Sequence, residues 1–187
     1  DYSCNKDCDY CFTFALARRY RKPMSLESMR TIIDWAVKER MDYVPVTGGE
    51  PTLYRNFNEV VNAITETGKK TYFSTNGLGP DDAYTNLPMK NLPSVTIHIL
   101  DDDDYTPSEV KRLEKNIKLL KDRTQRLVFR YVMYRPREKK WSTLLRFADK
   151  YRPTDVSFSP HFPGPYRMDS ASGGVEGIFD FKSDILE

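Results

Sequence analysis

Only three cysteines and two histidines occur in the 187 residues of this chain. The cysteines are Cys4, Cys8 and Cys11, so no disulfide framework can staple the remainder, and a clustered odd set of thiols suits a reducing, cytoplasmic setting. No apolar run approaches the ~20 residues that span a bilayer, and no signal-peptide pattern opens the chain. Net charge is also scarce. With 29 basic against 27 acidic residues, nothing in bulk attracts nucleic acid or anionic lipid. What remains is a globular composition, 39% hydrophobic and 13% aromatic, in a length that fits one domain with a real core.

The cysteines stand at i, i+4 and i+7 in one loop, a spacing that allows three sulfurs to turn to one point. Structural zinc takes four protein ligands, and no fourth cysteine or paired histidine completes this set. The site is open by one position. Thiolates select zinc or iron-sulfur centres, and an iron-sulfur cube held by three cysteines leaves one iron free. A zinc knuckle and three unpaired thiols are the plainer readings of the same residues. Two further motifs, Gly48-Gly49-Glu50-Pro51 and Ser74-Thr75-Asn76-Gly77, follow at the ends of the next two predicted strands. With the C-x3-C-x2-C loop and its following Phe12, they resemble in order the three signatures of the radical S-adenosylmethionine (SAM) enzymes.

That resemblance implies a [4Fe-4S] cluster held by Cys4, Cys8 and Cys11, with SAM chelated at the free iron. Gly48, Gly49 and Glu50, closed by Pro51, would meet the methionine amino group, since glycines let a backbone carbonyl approach a ligand. Phe12 would lie against the adenine, and Ser74 and Asn76 would contact the ribose or carboxylate. His98 falls where relatives often carry a ribose-contacting Ser, and it reads equally as a substrate-side group or a satisfied core histidine. Arg130 either reaches the SAM carboxylate or pairs with an acidic neighbour. The implied chemistry is reductive cleavage of SAM to a 5′-deoxyadenosyl radical, with a flavodoxin or ferredoxin as electron donor. The substrate stays open: a ribosomal peptide or cofactor precursor, or the targets of the nucleotide-modifying and glycyl-radical-activating branches. A non-catalytic zinc-binding or degenerate barrel for protein interaction is the alternative from another class.

Along the chain, strands and helices alternate. A basic run, Arg18 to Lys22, leads to Ser25 as N-cap of a helix with Leu26, Met29, Ile33, Ala36 and Val37 on its core stripe. Tyr43 to Val46 reads as a short strand despite Pro45. A helix over Phe57 to Ile64 ends near Gly68, and Lys70 to Ser74 forms the next strand. Residues 80–93 read as loop with at most a short helix, Ser94 to Leu100 as strand, and Asp101 to Asp104 as a solvated acidic loop. Thr106, Pro107 and Glu109 spell a capping box for a helix carrying Val110, Leu113, Ile117 and Leu120. Strand Leu127 to Tyr134, helix Trp141 to Tyr151 and strand Asp155 to Ser159 complete a core domain over 1–160, with His161 near the open end and 161–187 as an irregular tail. Interleaved strands and helices imply parallel pairing, and the resemblance makes this a partial (βα)6 TIM-like barrel, with a further strand expected ahead of Cys4. All three motifs then fall on the carboxyl rim.

Overall fold

The computed structural model of the chain describes residues 2–8, 10–11, 22–88, 92–133 and 141–160. Phe12, the basic run 18–21, His161 and the tail 161–187 lie outside the described residues. Four strands, β1 (Tyr72–Thr75), β2 (Ser94–His98), β3 (Leu127–Met133) and β4 (Asp155–Pro160), form one sheet in sequence order, every pair parallel. Parallel neighbours need crossovers, and helices supply them. These are α3 (Asp81–Thr85), α4 (Pro107–Lys121) and α5 (Ser142–Tyr151), preceded in the chain by α1 (Leu26–Lys38) and α2 (Phe57–Glu66). The fold is the expected α/β, partial-barrel type.

Alternation along the strands sorts the two faces of the sheet. Phe73 and Thr75, Val95 and Ile97, and Phe129 and Tyr131 are buried on the helix side, where Phe73 meets Phe57 of α2 edge-to-face at 5.0 Å. Ser74, Thr96, His98, Arg130 and Ser157 occupy the other face, half-buried, since residues in register across parallel strands share a face. On the outside, α4 buries Leu113, Ile117 and Leu120, three residues of its predicted stripe. Its ends are as read: Thr106 accepts from the Glu109 amide, and Glu109 returns the bond to the Thr106 backbone. Ser25 caps α1 through the Ser28 amide at 3.1 Å.

Three expectations need correction. Tyr43 to Val46 runs beside β1 but forms only two isolated parallel bridges, Tyr43 to Lys70 and Val46 to Phe73. The Val44 and Val46 amides on either side of Pro45 still donate to the Lys70 and Tyr72 carbonyls at 2.9 and 3.0 Å, while the Thr71 hydroxyl donates to the Val44 carbonyl at 2.7 Å. Val37 is 39% exposed, because α1 packs on α2 and buries only Ile33 and Ala36 fully. The acidic run is split as well: Asp102 to Asp104 make a single 3-10 turn, whereas Asp101 is buried and accepts the Tyr131 hydroxyl at 2.8 Å. No helix among the described residues is long and apolar enough to cross a membrane.

Candidate active site

Gly48–Pro51 leaves the Tyr43–Val46 segment at the same end of the sheet where Asn76 leaves β1, and a single carboxylate ties the two loops together. Glu50 is 4% exposed. Its Oε1 accepts the Thr52 hydroxyl at 2.5 Å, the Thr75 hydroxyl at 2.7 Å and the Thr52 amide at 3.2 Å, and its Oε2 accepts the Asn76 amide at 2.6 Å. Burial pushes the Glu50 pKa up, and these donors pull against it. Tyr84 of α3 closes the network: its hydroxyl lies 3.0 Å from the Thr75 hydroxyl and accepts the Gly79 amide at 3.1 Å. Burial, with Glu50 nearby, pushes Tyr84 up to about 12. Buried polar groups are tolerable only when paired in this way. The Glu50 side chain therefore works inward, as a tie between loops.

The cysteine loop hangs on both motifs. The Glu50 amide donates to the Ser3 carbonyl at 2.7 Å, and a Cβ at Gly49 would fall well inside 3.0 Å of the Ser3 and Tyr2 carbonyls. Only glycine permits that approach. From the other side, the Asn76 amide group donates to Asn5 at 2.7 Å and faces the Cys4 sulfur at 3.8 Å, while Asn5 donates to the Leu78 carbonyl at 3.2 Å. The Lys6 amide meets the Cys4 sulfur at 3.4 Å, and a turn closes from the Cys11 amide to the Cys8 carbonyl at 2.9 Å. Cys8 packs against the main hydrophobic core. Although the Cys4 residue is exposed in the loop, the protein crowded around its sulfur pushes the thiol up, and Glu50 and Cys11 add to the rise. Among the described residues, however, no three of His, Cys, Asp and Glu make a group able to hold a single metal ion.

Ser74 and His98 stand on the open face of the sheet, in line with Thr96 and Arg130. Arg130 donates from Nε to the Ser157 hydroxyl at 3.2 Å, and among the described residues no carboxylate pairs with it. Burial, with Arg130 alongside, lowers His98 to about 4, so it is a neutral imidazole near pH 7. Phe12 lies outside the described residues.

A sequence profile of the radical SAM superfamily matches residues 2–148. The chain belongs to the radical SAM superfamily. Among proteins of known role, it is 25% identical over 171 residues to GTP 3′,8-cyclase of Synechocystis sp., a match covering 80% of this chain and 51% of the cyclase. It is 34% identical over 77 residues to mycofactocin maturase MftC of Mycolicibacterium smegmatis, covering 41% of this chain and 19% of the maturase. Its fold matches that of Streptococcus suis SuiB bound to precursor peptide SuiA, with a TM-score of 0.67 at 18% identity, covering 87% of this chain and 38% of SuiB. The chain thus spans about half or less of the length of these relatives.

Radical SAM proteins use a [4Fe-4S] cluster and SAM. The donor chemistry of the loop fits such a cluster: three thiols with Cys4 and Cys11 in electrostatic reach of each other, on backbone fixed to two further loops. Several residues of this radical SAM site were not singled out from the sequence. Thr75 stands inside the Ser74-Thr75-Asn76-Gly77 motif with nothing to set it apart from its neighbours, and Thr52 and Tyr84 carry no pattern that marks them. Asn116 does: it is a fully buried polar residue inside the Leu113, Ile117, Leu120 stripe of α4, and its amide donates to the Gly77 and Gly79 carbonyls at 2.9 and 3.2 Å. Lys6 and Asn5, polar residues between two cysteines, were readable only as loop.

Proposed function

We propose that this chain is the catalytic core of a radical SAM enzyme, with 1–160 as the core domain and 161–187 as an appended tail. In this reading Cys4, Cys8 and Cys11 hold the [4Fe-4S] cluster and SAM lies between the cysteine loop and the open face of the sheet. The observation that carries it is the joint suspension of the cysteine loop from the second and third motifs, through Glu50 to Ser3 and Asn76 to Asn5. When bound, the cluster supplies one electron to the sulfonium of SAM, releasing methionine and a 5′-deoxyadenosyl radical that takes hydrogen from the substrate.

The residues of the chain would bind, orient and exclude water. The Gly48 and Gly49 backbone would receive the methionine amino group, because the Glu50 carboxylate is spent on Thr52, Thr75 and Asn76. Pro51 opens the 3-10 turn Pro51–Leu53 and so fixes the exit of that loop. Asn76 would act mainly as a support for the cysteine loop, and Ser74 would offer its hydroxyl to the ribose. Arg130, a cation whose described partner is a neutral serine, keeps donors for the SAM carboxylate. His98, held neutral, would donate or accept a hydrogen bond beside it. Phe12 would cover the adenine.

Anaerobic reconstitution with iron, sulfide, dithionite and SAM tests this reading. Formation of a [4Fe-4S] spectrum and 5′-deoxyadenosine supports it, and Cys8→Ala should abolish both while leaving the protein soluble. Near-stoichiometric zinc without iron or sulfide, after anaerobic purification, would replace it with a non-catalytic zinc module. A flavodoxin or ferredoxin would take the place of dithionite in the cell, and a cytoplasmic location follows from that need.

For the substrate we infer a peptide. The likeness to SuiB, whose structure holds a precursor peptide, supports this, as does β4, which pairs only with β3 among the described residues and offers an edge to an extended chain. Incubation with short peptides encoded beside the gene, read by mass change, tests it. Turnover of a nucleotide and of no peptide would favour the branch of the cyclase instead.

A further inference from the structure

We infer that α4, which lies outside all three motifs, is the clamp that sets the cysteine loop and the Asn76–Gly79 turn at a fixed distance from each other. The functional meaning of this inference rests on the reading above, while its structural part stands alone. Glu109, Leu113 and Asn116 recur at i, i+4 and i+7, so they share one face of the helix. Each of the three touches a motif loop or the residue that holds one.

At the N-terminal end, Lys6 reaches from between Cys4 and Cys8 to place its Nζ 2.8 Å from Glu109 Oε1. It also donates to the Asp104 carbonyl and lies over the Tyr105 ring at 5.3 Å from the centroid. The pair is largely shielded, with side chains 14% and 27% exposed, which separates it from the solvent-washed ion pairs elsewhere on the surface. The capping box already orients Glu109 for this pairing, because Oε2 accepts the Thr106 amide at 2.8 Å and leaves Oε1 for Lys6. One carboxylate thus both starts the helix and holds the cysteine loop.

Two turns further on, Asn116 donates to the Gly77 and Gly79 carbonyls, and Leu113 fills the space that a side chain at Gly77 would need. Gly77 has φ +76, a conformation that suits glycine, so the turn is kept tight from within and pinned from outside. Seven residues of helix separate the two anchor points by about 10 Å, a rigid spacer at 1.5 Å per residue. Lys6 and Asn116 are therefore positioning residues acting through the loops they hold.

Hydrogen exchange on the full chain without cluster tests the clamp directly. Lys6→Met should raise exchange of the amides in 4–8 about tenfold, the effect of losing one shielded charge-assisted bond, with β2 and β3 unchanged. Lys6→Arg should restore protection. Asn116→Ala should raise exchange in 76–79 and leave 4–8 to respond only weakly. Unchanged exchange in 4–8 for Lys6→Met would overturn the clamp, and so would a uniform rise across the sheet. In reconstituted protein, Lys6→Met should lose iron faster and make less 5′-deoxyadenosine, both rescued by Lys6→Arg. A released loop with wild-type iron retention and SAM cleavage would overturn the functional part. Should the wild-type chain take up no cluster, the proposed function fails while the exchange pattern still decides the clamp.

Discussion

Replacing Gly49 by Ala puts a methyl group where the backbone of the cysteine loop already stands. The new Cβ would lie well inside 3.0 Å of the Ser3 carbonyl oxygen and the Tyr2 carbonyl, and backbone atoms cannot rotate aside as a side chain would. Relief requires the loop to lift. Lifting it breaks the 2.7 Å bond from the Glu50 amide to Ser3, worth about 1 kcal/mol, and overpacking adds about 1–3 kcal/mol. The docked loop then becomes less populated by roughly 30- to 1,000-fold. The loop adds no strand to the β1–β4 sheet, so the loss should appear in anaerobic iron and sulfide content and not in the urea midpoint. Gly68 is the matched control. It ends α2 with φ +80 and nothing within 4 Å of a Cβ, so Gly68→Ala should cost about 1 kcal/mol of global stability and spare the cluster. A Gly49→Ala protein that takes up iron and sulfide like the wild type would refute the close-approach argument.

Glu50→Ala strands the Thr52 and Thr75 hydroxyls and the Asn76 amide in a buried site, and should lower the urea-unfolding free energy by about 3 kcal/mol with an unchanged m-value. Thr106→Ala removes one half of the α4 capping box and should cost about 1 kcal/mol, a fall in Tm of about 2–4 °C in a calorimetric scan. His98 sets a pH dependence. Its pKa is depressed to about 4 in the folded chain against about 6.5 unfolded, so between those values the unfolded state binds more protons, and stability should fall as pH drops through the window. Urea titrations at several pH values should show that part of the slope vanish in His98→Gln. Glu50 contributes with the opposite sign, since its raised pKa loses stability as pH rises, and its part should survive the His98 substitution.

The helices were legible because their stops and starts are local. Ser25 three residues before Ser28, and Thr106 three before Glu109, state where α1 and α4 begin without reference to the rest of the fold. The segment at Tyr43 reads as a strand from its β-branched residues, yet it makes only two isolated bridges, and a side chain, the Thr71 hydroxyl, donates to the Val44 carbonyl between them. The site was legible as three motifs but not as a network. Ser74 and Thr75 are alike as letters, and only the parity of β1 decides that Thr75 faces Glu50 while Ser74 faces the open side. Lys6 meets Asp104 and Glu109 about a hundred residues away, a pairing set by the closing of the sheet and invisible to any local pattern. Asn116 was the exception, a polar residue on an apolar stripe, which is a legible sign of a buried hydrogen bond.

The most direct measurement is electron paramagnetic resonance of the reduced, reconstituted chain with and without SAM. A three-thiol cluster with a free iron predicts a [4Fe-4S] signal whose g-values and line shape change when SAM is added, and which Cys8→Ala lacks. A signal indifferent to SAM, or a protein that holds only zinc, would contradict it.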